Sequence, residues 1–429
     1  MTEGSSEKSE GFLRGVNLGS DMQTRRTRPG RESIWGNKPV GTEGFEDFAK
    51  TVESLKTLGV DSVRLSIGWS QIIKPQLIKP EILEVDMEAV REYKAMIKQL
   101  KDAGIKNIIL TLHHFDEPQW FAELGGWAKE ENLKYYERYV EICAQEFGQD
   151  ANILIPINEP NIYTSMGYLA GLWPPREKNP LKARAVYKNL ANAHNLAAEI
   201  IKKHNPNAKI ACAVQMPDVR AGRYFPKAIA NLIGKGYEAV NSWLFIDRVI
   251  DSIDYIGVQS YSPFYIGKSK AEKTTDMGWP LDLTGEYLEN VLVKTAKRYP
   301  NKPIIVTENG IADKDDLDKI RESTRVKFIK SSLQGVERAI KQGANIVGYF
   351  HWTIEDNYEM DTENTPDKGR FGLFRKDYET LKREITAGGR YYSRLIRWAK
   401  SREKTQEQSG VKSPKPVQLI ISEEPVTIQ

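Results

Sequence analysis

Eight short β-branched runs alternate with longer amphipathic stretches along most of the chain, at 11–21, 61–69, 106–115, 153–159, 209–215, 254–261, 302–308 and 345–352. Runs of this length and composition read as strands, several of them buried on both faces. Between them, 45–58, 87–103, 132–147, 183–204 and 324–342 place apolar residues three and four apart, the period of a helix with one buried side. Regular alternation of strand and helix calls for parallel strands. Eight such units point to a closed (β/α)8 TIM barrel rather than an open doubly wound sheet.

The 429 residues fit one barrel of this kind, assigned to 11–400. A polar N-terminus, 1–10, precedes it. A tail rich in Lys, Glu, Gln and Ser, with Pro414, Pro416 and Pro425, follows at 401–429, and both ends read as flexible. Basic and acidic residues nearly balance, 62 against 58, so nothing suggests nucleic acid as a partner. Met1 to Glu10 lacks an apolar signal segment and no stretch is long enough to span a membrane. The expected location is therefore the cytoplasm, with no membrane partner; a homo-oligomer remains open. Cys143 and Cys212 form neither a disulfide framework nor a metal motif and read as core residues. No Gly-x-Gly-x-x-Gly follows the first strand and no P-loop occurs, so neither cofactor nor metal is expected.

The strand ends carry the chemistry. Ile304, Ile305 and Val306 lead into Thr307-Glu308-Asn309-Gly310, and Ile153 to Ile157 lead into Asn158-Glu159-Pro160. Each strand thus presents a carboxylate at the end where parallel barrels hold their active sites. One carboxyl as proton donor and a second as nucleophile or base suffice to cleave a glycosidic bond. Arg64 lies inside an otherwise apolar strand, which implies a negative partner. His113 and His114 are adjacent on a strand and face opposite ways, which makes them a poor metal pair. Gln259 and Tyr261 end the sixth strand, and the eighth runs into the polar, aromatic segment Trp352 to Met360. Carboxylates, amides and aromatic faces are what a sugar site uses.

Taken together, Arg64 with Ser66 and Trp69, His114-Phe115-Asp116 with Pro118 and Trp120, Asn158-Glu159-Pro160, Thr307-Glu308-Asn309-Gly310, and Trp352 through Asp356-Asn357-Tyr358-Glu359 resemble glycoside hydrolase family 1. Arg370-Phe371-Gly372-Leu373 follows as in that family, and the resemblance spans about 11–400. It implies Glu308 as nucleophile and Glu159 as acid/base of a retaining mechanism, with Arg64 and Tyr261 holding Glu308 ionised. It further implies His114, Asn158 and Glu359 as sugar ligands, Trp352 as a stacking floor, and Gln23 as the first strand's contribution, at a spacing one residue longer than the family's. The substrate would be a small β-glycoside or oligosaccharide bearing a terminal β-linked glucose, galactose or fucose.

Gln259-Ser260-Tyr261 stands where the family usually has Asn-Tyr-Tyr, and Met360 where it usually has Trp. Glu359 argues against a 6-phosphoglycoside, because a carboxylate there would repel the phosphate. The basic loop 23–31 reads as a solvated charge run, with recognition of an anionic substrate as the sharper alternative. Three readings stay open: hydrolysis, transfer to an acceptor sugar by the same site, and a catalytically silent sugar-binding barrel.

Overall fold

A computed structural model describes residues 11–19, 32–36, 48–75, 83–313, 323–357, 359 and 369–409. Eight parallel strands close a barrel in chain order: β1 (Leu13–Asn17), β2 (Ser62–Ser66), β3 (Asn107–His113), β4 (Ile153–Ile157), β5 (Lys209–Gln215), β6 (Tyr255–Gln259), β7 (Ile304–Asn309) and β8 (Ile346–His351). The seam is made by β1, where Val16 lies opposite Val63 of β2 on one side and His351 of β8 on the other. The main outer helices are α1 (Phe48–Leu58), α2 (Met87–Asp102), α3 (Leu133–Phe147), α4 (Pro180–His204), α5 (Lys227–Glu238), α6 (Glu286–Arg298), α7 (Thr324–Lys341) and α8 (Ala387–Ser409). Of these, α5 and α6 are additional to the periodic segments read from the sequence, while α8 contains the last amphipathic stretch expected there, about 390–400.

Period-two alternation sorts the strand residues between two cores. Val63 and Leu65 of β2 join the large outer core beneath the helices, whereas Ile109, Ile153, Ile155, Ala211, Ala213, Ile305 and Phe350 fill the barrel itself. Gly15 is required where it stands: a Cβ there would fall 2.3 Å from the Phe350 ring. Helix starts are fixed by side chains. Asp86 accepts from the N–H groups of Glu88 and Ala89 at α2, and Asn179 from those of Leu181 and Lys182 at α4. Each such cap contributes about 1 kcal/mol. Cys143 and Cys212 are buried and unpaired with each other, and burial pushes the Cys212 thiol up to about 12.

One boundary moves. Residues 401–409, expected to open a flexible tail, are helical instead, because α8 continues to Ser409. Residues 401–409 contain neither Gly nor Pro and are mostly good helix formers. Glu403 also pairs with Arg14 at 2.9 Å, tying the extension to the first strand. The N-terminal ten residues, Gln23 and the basic loop 23–31, Tyr358, Met360 and 410–429 lie outside the described residues.

Candidate active site

Glu308 reaches the barrel mouth through an irregularity in its strand. The register of β7 shifts between Val306 and Glu308 against β6, and between Val306 and Asn309 against β8. Such a bulge re-aims a side chain at the end of a ladder. The carboxylate is almost fully buried and saturated with donors. Its Oε1 accepts from Arg64 Nη1 and from Gln259 Nε2 at 2.7 Å, and its Oε2 accepts from the Tyr261 hydroxyl.

Arg64 is buried as deeply as its partner, and an unpaired charge at that depth would be strongly destabilising. Every branch of its guanidinium is used. Nε donates to Thr111 Oγ1 at 2.8 Å, Nη2 to Asn158 Oδ1 at 2.6 Å, and Nη1 also to Asn17 Oδ1 at 3.3 Å. Asn17 in turn donates to the carbonyls of Thr307 and His351, at 3.0 and 3.2 Å, stitching β1 to the ends of β7 and β8. One cation thereby joins four strands around Glu308.

Glu159 sits in a different environment. It follows β4 with φ 40°, a left-handed conformation that costs a non-glycine residue roughly 1–3 kcal/mol and turns its side chain into the mouth beside Asn158. Its Oε1 is buried without a hydrogen-bond partner among the described residues, and so is Asn158 Nδ2. Asn158 Oδ1 is occupied by Arg64 and by Gln259 Nε2 at 2.9 Å, so its free donor faces away from both. A buried acceptor and a buried donor without partners are where ligand hydroxyls would bind.

The electrostatics follow from these contacts. Burial raises the Glu159 carboxyl well above the ordinary range, the negative charge of Glu308 raises it further, and Arg64 only partly opposes them. Burial raises Glu308 as well, but less strongly on balance, because Arg64 and the Tyr261 hydroxyl offset part of the rise. Of the two, Glu159 is therefore the one that retains a proton. The Tyr261 phenol is held far above its usual range by burial and by Glu308, so it stays a donor. His114 is kept neutral by burial and by the nearby positive charge of Arg64.

A cavity of about 570 Å³ opens above the pair, lined in part by His114, Glu159, Tyr261, Glu308, Trp352 and Glu359. Ser66 Oγ lies 2.9 Å from His114 Nδ1, leaving Nε2, 3.9 Å from Glu308 Oε1, toward the cavity. His113 instead packs edge-on against Trp127 and Tyr163. The Trp352 indole donates to Glu359 Oε1 at 3.1 Å, as does the Asn357 amide at 3.0 Å. All the site residues expected from the sequence, apart from Gln23, thus converge on one cavity or its floor.

Sequence reasoning gave no role to Gln259, which donates to both Glu308 and Asn158, nor to Asn17. Polar residues at the ends of otherwise apolar strands were the available signal. Trp173, Met277, Trp279 and Phe371 also line the cavity, from connecting segments with no periodicity to expose them. Among the described residues, no cluster of three or more His, Cys, Asp or Glu side chains could hold a metal ion.

Comparison with known proteins agrees with this geometry. The chain is 26% identical over 424 residues to beta-glucosidase A of Acetivibrio thermocellus, with 85% of this chain and 92% of that protein aligned. A galactolipid galactosyltransferase, SFR2, of Arabidopsis thaliana is 26% identical, with 89% of this chain and 63% of the relative aligned. The solved beta-glycosidase from Pyrococcus horikoshii superposes with a TM-score of 0.76 at 28% identity, covering 90% of this chain and 94% of that one. Residues 18–224 and 251–401 match the glycosyl hydrolase family 1 pattern, and the chain is a glycoside hydrolase belonging to that family.

Proposed function

We propose that the protein is a retaining β-glycosidase acting on terminal, non-reducing β-linked sugars. The observation that carries this reading is the contrast between the carboxyls: Glu308 accepts from Arg64, Gln259 and Tyr261, while Glu159 keeps an unpartnered oxygen and the more strongly raised pKa. Glu308 attacks the anomeric carbon as the bond to the leaving oxygen breaks, and Glu159 gives that oxygen its proton. Glu159, now ionised, then takes a proton from water as the water attacks the glycosyl ester. Glu308 leaves as carboxylate and both groups are restored.

In this reading Asn158 Nδ2 holds the sugar 2-hydroxyl, a contact that strengthens in the transition state. His114 and Glu359 bind further hydroxyls, Trp352 stacks on the ring, and Gln23 is a further sugar ligand. Glucosides, galactosides and fucosides are the substrates to rank. A panel of nitrophenyl β-glycosides, with the first-formed anomer followed by NMR, tests the assignment. Initial release of the β-anomer supports retention, and the α-anomer contradicts it.

Transfer to an acceptor sugar would use the same intermediate. The alignment with SFR2, a galactosyltransferase by name, favours testing it. Product analysis at rising acceptor concentration separates the two: transfer yields new glycosides, hydrolysis free sugar only.

A further inference from the structure

The cavity opens beside a helix whose apolar side faces the wrong way for packing. Helix α5 rests on the strand Asp218–Ala221 through small contacts. Its buried residues are Ala230, Gly234 and Glu238, and a Cβ at Gly234 would lie 3.0 Å from Val219. The bulky side chains project outward instead: Ile229 is 50% exposed, Leu232 73%, Ile233 46%, and Val240 in the next turn 66%. A surface helix ordinarily turns such residues inward.

This outward stripe is continuous with the cavity. Tyr237 of α5 stacks on Phe264 at 5.7 Å and 8° between planes; both line the cavity, and both are more than one-third exposed. The match to the family also breaks across 225–250, so this helix lies outside the shared pattern, whereas Phe264 lies within it. Flanking charge is mainly positive: Arg223, Lys227, Lys235, Lys268, Lys270 and Lys273 stand against Glu238, Glu272 and Asp276, while Arg220 is paired with Asp218 and Asp282.

We propose that this collar seats the protein on an anionic lipid surface, with the cavity mouth turned toward it, and that the enzyme takes β-glycosides whose aglycone is a lipid alkyl chain. The second half rests on the glycosidase reading. An amphipathic helix with exposed aliphatic residues and flanking basic ones is the form that binds such a surface from one side. Among the described residues, no helix is long and apolar enough to cross a membrane, and peripheral contact needs none. A second copy of the chain fits less well as occupant, since it would cover the mouth and bring like charges together. Along Tyr237 and Phe264 an alkyl chain could pass from the lipid to the catalytic pair without crossing water.

The test is co-sedimentation with phosphatidylglycerol/phosphatidylcholine vesicles and with phosphatidylcholine vesicles, for the wild type and the Ile229→Ser/Leu232→Ser/Val240→Ser variant. These positions lie outside the cavity, so unchanged turnover of a nitrophenyl β-glycoside verifies that the variant is folded. Binding to the anionic vesicles that falls with salt, and falls about tenfold or more in the variant, is expected. The variant should also lose activity selectively on long-chain alkyl β-glucosides embedded in those vesicles. Normal turnover of nitrophenyl glycosides without vesicle binding would overturn the docking surface, as would a dimer that the three substitutions dissociate. Vesicle binding without turnover of any glycoside would overturn the glycosidase reading and leave the surface standing.

Discussion

β4 and β7 end alike in sequence and unlike in environment. Each is an apolar run closing on a glutamate, yet Glu308 is met by a buried cation, an amide and a phenol, whereas Glu159 faces the cavity with one oxygen unpartnered. Burial acts on both. What separates them is the charge each one sees: Arg64 pairs with Glu308, and Glu159 sees the negative charge of Glu308 itself. In the proposed mechanism this difference lets two copies of one side chain take opposite protonation states.

Abolishing one side of the contrast gives the largest expected effect. Glu308→Gln should lower kcat on nitrophenyl β-glycosides on the order of 10⁴- to 10⁶-fold, read by steady-state kinetics. The same change removes a negative charge from beside Glu159. The Glu159 carboxyl should then ionise at lower pH than in the wild type, visible by NMR of ¹³C-labelled carboxyls. An unmoved titration would mean that burial alone sets it.

Glu159→Gln should be the more conditional lesion. A poor leaving group needs its proton, so loss of about 10²- to 10⁴-fold is expected on alkyl glycosides. A dinitrophenyl leaving group needs no proton, and its glycosylation step, followed as the pre-steady-state burst, should be nearly unaffected. Equal loss on both substrates would contradict the acid role.

Arg64→Met removes the group that most lowers Glu308. Activity requires Glu308 ionised and Glu159 protonated, so the acid limb of the pH profile reports mainly Glu308, within a coupled pair. That limb should move to higher pH, with activity at neutral pH reduced about 10²-fold, and the protein should also lose about 3–5 kcal/mol of stability from breaking a buried pair. An unshifted acid limb would show that Tyr261 and Gln259 suffice. Gln259→Ala, which removes one donor to Glu308, should cost about 1.5–3 kcal/mol in kcat/KM and shift the same limb less.

Much of this site was legible because strand ends obey simple rules. Apolar runs place the eight strands within a few residues, and a carboxylate at the end of a buried strand stands out against its surroundings. A lone Arg in β2 likewise implied a negative partner, and Glu308 meets it. Gln259 and Asn17 were harder to read, because an amide at a strand end has no charge to demand a partner. Their roles depend on closure of the barrel, which brings β1, β2, β6 and β7 to a single guanidinium and carboxylate. The outward stripe of α5 was hidden for another reason: the segment was not read as a helix, and an apolar stripe is ordinarily expected to face inward, whereas here Ala230, Gly234 and Glu238 are the buried residues.

The most direct test of the central claim is to trap the glycosyl-enzyme. A 2-deoxy-2-fluoro-β-glucoside with an activated leaving group slows both steps but lets attack outrun release, and mass spectrometry of the digested protein locates the adduct. One fluoroglycosyl group on the peptide carrying Glu308, absent in Glu308→Gln, is the predicted result. An adduct on Glu159, or turnover of the parent glycoside with release of the α-anomer, would contradict the account.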